Sequence, residues 1–429
     1  MPEDTKPTFP KKFLWGASTS GHQVEGGNHD QWTVWELAHA AELAKTAKRR
    51  LSHLPSWERI KDVAEKPETY ISGRAVDHYN LYKEDIAIAK KLNLNSLRFT
   101  VEWSRIEPQE GVWDSQAIEH YRDYITELKK SGIEPVLNIW HWTMPVWFTD
   151  KGAFKYGRNI RYFERFVQKV SDEYAKDLKW VITLNEPNVY TAFGYLTKEP
   201  TSGNWPPGES SPLSYARVTW NLISAHRRAY KIIKGVNPSV NISLATQLAN
   251  IQAKRPHNEL DEFTTKVMRY FWNWLFLRRV RRQMDFIGFN YYFTDYYTGF
   301  GKRKDPQVPL NDMGWYMEPE GLYPLLLSIA RHFKGKPIVI TENGVADATD
   351  EYRRWWIEES IVAMERAISE GVPLKGYLHW SLLDNFEWEN GWWPKFGLVE
   401  VDTQQGMKRI IRPSAKWFAE RIEKLSSSE

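Results

Sequence analysis

A chain of 429 residues that is 42% hydrophobic and 26% charged has enough apolar surface for a large soluble core, and its apolar runs are too short to span a membrane. Its formal net charge of +4 is small for that length and implies no general affinity for polyanions, so neither nucleic acid nor a membrane is an expected partner. There are no cysteines, which excludes disulfides, thiolate nucleophiles and sulfur-ligated metals.

The opening stretch, MPEDTKPTFPKKF, lacks a hydrophobic signal core, and a cytoplasmic enzyme is expected. Eight β-rich segments then follow: FLWGAS from Phe13, SLRFTV from Ser96, EPVLNIWH from Glu134, WVITLNE from Trp180, NISLATQ from Asn241, DFIGFNYY from Asp285, PIVITEN from Pro337 and KGYLHWS from Lys375. Longer amphipathic stretches separate them, such as Tyr82 to Leu94 and Ala117 to Gly132, the second ending on a glycine stop signal. Strands that alternate with helices pair in parallel. The closed solution for eight of them is a (β/α)8 TIM barrel, whose active site lies at the strand C-termini.

No repeat, low-complexity tract or Gly/Ser-rich linker divides the chain, so residues 1–429 read as a single catalytic domain. Residues 37–73, charged and Ala-rich, read as a partly helical insertion after the first strand that covers the barrel rather than acting in it. The basic cluster Arg278 to Arg282 reads as a solvated helix end, with no aromatic platform beside it for nucleic acid. From Pro413 a closing helix is expected, fraying at SSSE.

At the end of the fourth strand, TLNEPN places Glu186 before Pro187. Proline donates no backbone hydrogen bond and disfavours helical geometry in the residue before it, so the strand breaks there with the carboxylate at its mouth. The seventh strand repeats the outline: ITLNE and IVITE both read Ile, x, Leu or Ile, x, Glu. Period-two alternation puts Glu186 and Glu342 in phase with those apolar residues, facing the barrel interior. A lone strand-end glutamate is more often a structural ion-pair acid, but two in matching positions make the pair of carboxyls that glycoside hydrolysis needs. Arg98, in phase on the second strand, can keep one of them ionised, while the negative neighbour and aromatic walls keep the other protonated. The charge pattern does not say which is which.

Other strand ends supply His141, Asn185, Asn290, Tyr292 and Trp380, a mixture of hydrogen-bonding groups and flat rings suited to a neutral, hydroxyl-rich substrate. A phosphate would call for a glycine cradle or several Arg and Lys. The content of 22 Trp, 21 Tyr and 19 Phe fits either core packing or stacking on sugar faces, and Trp140, Trp142 and Trp147 taken singly fit either reading. No HExxH or closely spaced His and Asp set supplies metal ligands, and GASTSG misses the G-x-S-x-G serine elbow by one place.

The motifs FLWGASTSGHQVEGG, SLRFTVEWSRIEP, NIWHWTMPVW, TLNEPN, FNYY, MGWYMEPEGLY, ITENG and HWSLLDNFEWENGWWPKFGLVEVD, in this order, resemble glycoside hydrolase family 1, the retaining β-glucosidases and β-glycosidases. The resemblance implies an exo-acting double displacement with Glu342 as nucleophile and Glu186 as acid and then base, no cofactor and no metal. It also implies that Gln23, His141, Asn185, Asn290, Trp380, Glu387 and Trp388 hold the non-reducing sugar, that Arg98 and Tyr292 flank the nucleophile, and that Trp315 stands beside the aglycone. Glu387, Pro394 and Phe396 stand where the phospho-glycosidase branch has serine, lysine and tyrosine. Glu186 stands where the thioglucosidase branch has glutamine. The expected partners are therefore small neutral β-glycosides or oligosaccharides, with β-glucosides first and β-galactosides or β-fucosides next, and a homo-oligomer is left open. An endo-β-glycanase and a non-catalytic sugar-binding barrel are the alternatives. Residues 247–285 look shorter, and residues 37–73 longer, than the family norm, which would reshape the cleft entrance.

Overall fold

Each of the eight expected strands is present in the computed structural model, which describes residues 9–196, 205–303, 305 and 307–427. They are β1 (Leu14–Ser18), β2 (Ser96–Thr100), β3 (Glu134–Asn138), β4 (Trp180–Asn185), β5 (Asn241–Gln247), β6 (Ile287–Tyr291), β7 (Ile338–Asn343) and β8 (Leu374–Trp380). They form one closed barrel, each strand hydrogen-bonded to its sequence neighbours and β8 to β1. The pairing is parallel throughout, as at the closure, where Leu14 lies opposite Gly376 and Ser18 opposite Trp380. The third strand stops at Asn138, so Ile139 to His141 belong to the loop above it.

Parallel strands need helical crossovers, and the long helices after successive strands supply them, among them His78–Lys91, Ser115–Lys130, Ile160–Tyr174, Pro212–Val236 and Arg353–Ser369. Helix Ser115–Lys130 begins at Asp114, whose carboxylate accepts from the Gln116 and Ala117 amides, and turns away at Gly132, which has positive φ. Two apolar layers result. Val136, Ile182, Ala245, Phe286 and Val339 fill the barrel, while Ile338, Ile340 and their counterparts on other strands pack into the larger shell that holds the helices.

Residues 37–73 are largely helical, within Gln31–Lys45, Ala47–Leu51 and Trp57–Ala64. Ala47, Leu51, Ile60 and Ala64 form a small core of their own against Trp393. The expectation that this segment only covers the barrel needs correction, because Leu51 and Leu54 line the main cavity. The basic cluster is an exposed helix end before β6, as read, although Arg279 stacks its guanidinium 4.8 Å from the Trp220 ring. The closing helix runs Pro413–Ser427 and so takes in Ser426 and Ser427 of the SSSE end expected to fray, while Ser428 and Glu429 lie outside the described residues. No helix among the described residues is long and apolar enough to cross a membrane.

Candidate active site

A cavity of about 540 Å³ opens at the C-terminal ends of the strands, and its lining includes Glu186, Glu342, His141 and Tyr292 as well as Trp315, Trp380, Glu387 and Trp388. The other four expected site residues, Gln23, Arg98, Asn185 and Asn290, stand directly behind this wall, hydrogen-bonded to it.

Alternation alone does not bring the two glutamates there. On β4, the pairing with β5 slips between Ile182 and Asn185, and Glu186 follows in the left-handed region with φ 42°. Its amide donates to the Ala245 carbonyl at 2.7 Å, and Pro187 begins helix Pro187–Tyr195 at the position where a missing N–H costs nothing. Asn185 and Glu186, though consecutive, therefore both reach the mouth. On β7 the expected phase is wrong: Ile338 and Ile340 face outward, so strict alternation would turn Glu342 outward with them. The register against β6 shifts between Ile340 and Glu342, and this irregularity rotates the carboxylate into the cavity beside Thr341. Gly344 follows because a Cβ there would sit 1.9 Å from the Trp380 carbonyl oxygen.

The two carboxyls have different neighbours. Glu342 accepts from the Arg98 guanidinium through Oε1 and from the Tyr292 hydroxyl through Oε2, the latter at 2.5 Å. Burial raises its pKa, and Arg98 and Tyr292 pull it only part of the way back. Among the described residues Glu186 has a single neutral donor, Asn290 Nδ2 at 2.8 Å. Burial, then the charge of Glu342, drives the Glu186 pKa well above the carboxylate range. The ambiguity left by the charge pattern is resolved by distance, since Arg98 bonds Glu342 and reaches Glu186 only through space.

Asn185 and Asn290 are completely buried and committed to protein contacts. Asn185 accepts from Arg98 Nη2 at 2.7 Å and donates to His141 Nε2 at 3.0 Å, and Asn290 accepts from Thr341 at 2.6 Å. His141 stays neutral because burial and the nearby Arg98 charge push its pKa well below the usual value. Glu387, buried next to Glu389 and Glu342, is pushed well above the usual range, and Gln23 Nε2 donates to it at 3.3 Å. Gln23 Oε1 is buried with no hydrogen bond among the described residues, so that acceptor remains for a hydroxyl.

Trp142 and Trp388 have φ of 74° and 49°. The left-handed region costs a bulky residue about 1–2 kcal/mol. Mutual packing at 4.8 Å, with Trp32 4.7 Å from Trp388, holds them there, as does the bond from Trp142 Nε1 to the Asn185 carbonyl at 3.0 Å. Trp142 also lines the cavity. The sequence reading also missed the outer wall, where Phe193, Trp272 and Phe293 join Trp315. Trp272 lies in a π-helical turn, Arg269–Trp274, which the helical pattern does not reveal.

The model of "Glycosyl hydrolase family 1" matches residues 5–283 and 276–426, nearly the whole chain. The chain belongs to glycosyl hydrolase family 1. Among family 1 relatives, β-glucosidase A of Acetivibrio thermocellus is 29% identical over 97% of this chain and 99% of its own length. A β-galactosidase of Sulfolobus acidocaldarius is 31% identical over 96% of this chain and 94% of its own. A β-glycosidase structure from Pyrococcus horikoshii superposes with a TM-score of 0.84 at 32% identity, covering 99% of this chain and 96% of that one. Family 1 membership makes the protein a glycoside hydrolase of the β-glucosidase type, and neither the endo-glycanase nor the non-catalytic reading is favoured.

Proposed function

We propose that Glu342 is the nucleophile and Glu186 the acid and then base of a retaining exo-β-glycosidase that removes terminal non-reducing β-D-glucosyl residues, with β-galactosyl and β-fucosyl residues as secondary substrates. The observation that carries the assignment is the asymmetry of donors. A nucleophile must be ionised, and Glu342 has the guanidinium and the phenol; an acid must hold its proton at neutral pH, and Glu186 is buried beside a negative charge with one neutral amide.

In the first step Glu342 bonds to the anomeric carbon, the glycosidic bond breaks, and the Glu186 proton passes to the leaving oxygen. In the second, Glu186 takes a proton from water, whose oxygen displaces Glu342. Glu387, His141, Trp380 and Trp388 line the cavity and receive the sugar, with Gln23 Oε1 beside Glu387 as a further acceptor; Asn185 and Asn290 hold Glu186, Arg98 and His141 in place. Glu387 offers a carboxyl to sugar hydroxyls and brings no cation for a phosphate, which supports a neutral glycone. Initial rates on a panel of aryl β-glycosides, with the product anomer followed by NMR, test the proposal. Retention with β-glucoside preferred is expected, and an α-anomer as first product would overturn it.

A further inference from the structure

His22 follows β1 and precedes Gln23, and both of its ring nitrogens are engaged. Nδ1 lies 2.9 Å from Asp30 Oδ2, and Nε2 lies 2.7 Å from Glu36 Oε1. Carboxylates only accept, so both nitrogens donate and the ring is an imidazolium. Burial opposes this charge, yet Asp30 and Glu36 hold the His22 pKa well above its usual value. Glu102 also faces it, accepting from the His22 amide at 3.0 Å, with its own pKa pushed to about 8 by burial and by the charges of Glu25 and Asp30. His141, the other titratable ring near it, is neutral.

One face of this imidazolium stacks on Trp388, with centroids 5.4 Å apart and planes within 7°. Trp388 has the left-handed backbone described above, a conformation that persists only where neighbours over-determine it. The clamp is built from outside the barrel: Asp30 caps helix Gln31–Lys45 at the Thr33 amide, and Glu36 on that helix accepts from the Ser72 amide at 2.8 Å and its hydroxyl at 2.7 Å. A continuous path thus runs from Ser72 through Glu36 and His22 to the ring that floors the cavity.

We propose that His22 is a positioning residue for the glycone: clamped between Asp30 and Glu36, it fixes the plane of Trp388 and the adjoining Gln23 and Glu387, and so sets which sugar the site prefers. This rests on the reading that Trp388, Gln23 and Glu387 receive the glycone. Helix Gln31–Lys45 and Ser72, outside the barrel strands, then act on specificity without touching substrate.

The test is His22→Gln in the full chain, assayed on 4-nitrophenyl β-glucoside, β-galactoside and β-xyloside, with D-glucose as competitive inhibitor. The shared aglycone leaves the glycone as the only variable. Expected are a fall in kcat/KM on the glucoside of about 10- to 100-fold, with KM and the glucose Ki both raised. The glucoside-to-xyloside ratio should change by about fivefold or more. A merely structural role would lower kcat by one factor for all three substrates and leave KM, Ki and the ratio untouched, and that result overturns the proposal. If His22→Gln does not fold, Glu36→Gln keeps the shape and one carboxylate and should move the ratio in the same direction by less; an unchanged ratio overturns the proposal equally. Absence of hydrolysis by the parent chain would instead strike the functional reading itself.

Discussion

The mouths of β4 and β7 carry the same residue in the same outline, yet one glutamate sits with a guanidinium and a phenol and the other with a carboxamide. Both are buried, so burial alone cannot separate their roles; what separates them is whether a positive charge and a charged-form hydrogen bond are within reach. Equivalent positions in a barrel thus acquire different surroundings from side chains on other strands, Arg98 on β2, Asn290 on β6 and Tyr292 just after it.

The most severe way to test this contrast is Glu342→Ala, which removes the attacking group. Its kcat/KM should fall on the order of a millionfold. Azide should restore turnover of an activated aryl β-glucoside, and hydrolysis persisting without azide would break the assignment. Next comes Glu186→Gln, which should cost about 10²–10⁴-fold on substrates with poor leaving groups and far less in glycosylation by dinitrophenyl glycosides. Because the Glu186 pKa is raised, activity of the parent chain on poor leaving groups should fall as pH rises through that value. The variant should lack this alkaline limb; its survival would mean that another group donates the proton.

Tyr292→Phe sharpens the comparison from the other side. Loss of a hydrogen bond to a charged group should lower kcat/KM by roughly 10- to 100-fold. The Tyr292 hydroxyl lowers the Glu342 pKa, so the acid limb should move to higher pH, and an unmoved limb would show that Arg98 alone sets it.

The smallest effect is on stability. Glu186 has a folded pKa above its unfolded value, so as pH rises past the ordinary carboxylate range the unfolded chain releases a proton the folded one retains, and stability falls up to the raised folded pKa. Glu186→Gln removes that dependence and should raise Tm near neutral pH by about 2 °C, with the gain vanishing below the ordinary carboxylate range. An equal or lower Tm at pH 7 in a calorimetric scan would count against a destabilising carboxyl at this position.

Much of the fold was legible because parallel strands buried on both faces are continuous apolar runs, and WVITL and PIVIT announce themselves without any partner. Strand phase was not. Alternation correctly groups Ile182 with the interior but misplaces Ile338 and Ile340, and only the register slip against β6 returns Glu342 to the cavity. Of the polar candidates, the sequence found Asn185 and Asn290 by motif but not their protein partners, Arg98, His141, Glu186 and Thr341. His22 went unread although it sits inside HQVEGG, because its meaning depends on two carboxylates and a distant tryptophan.

By itself, then, the sequence determined eight strands, a carboxyl at the end of two of them, a ring-rich mouth and membership of one family, since each depends on local residue order. The tertiary structure decided what those carboxyls are. Arg98 and Glu342 are separated by 244 positions along the chain, and Asn290 and Glu186 by 104. Protonation depends on charges and donors within a few ångströms, and which groups stand that close is fixed only when the barrel closes and its strands slip into register.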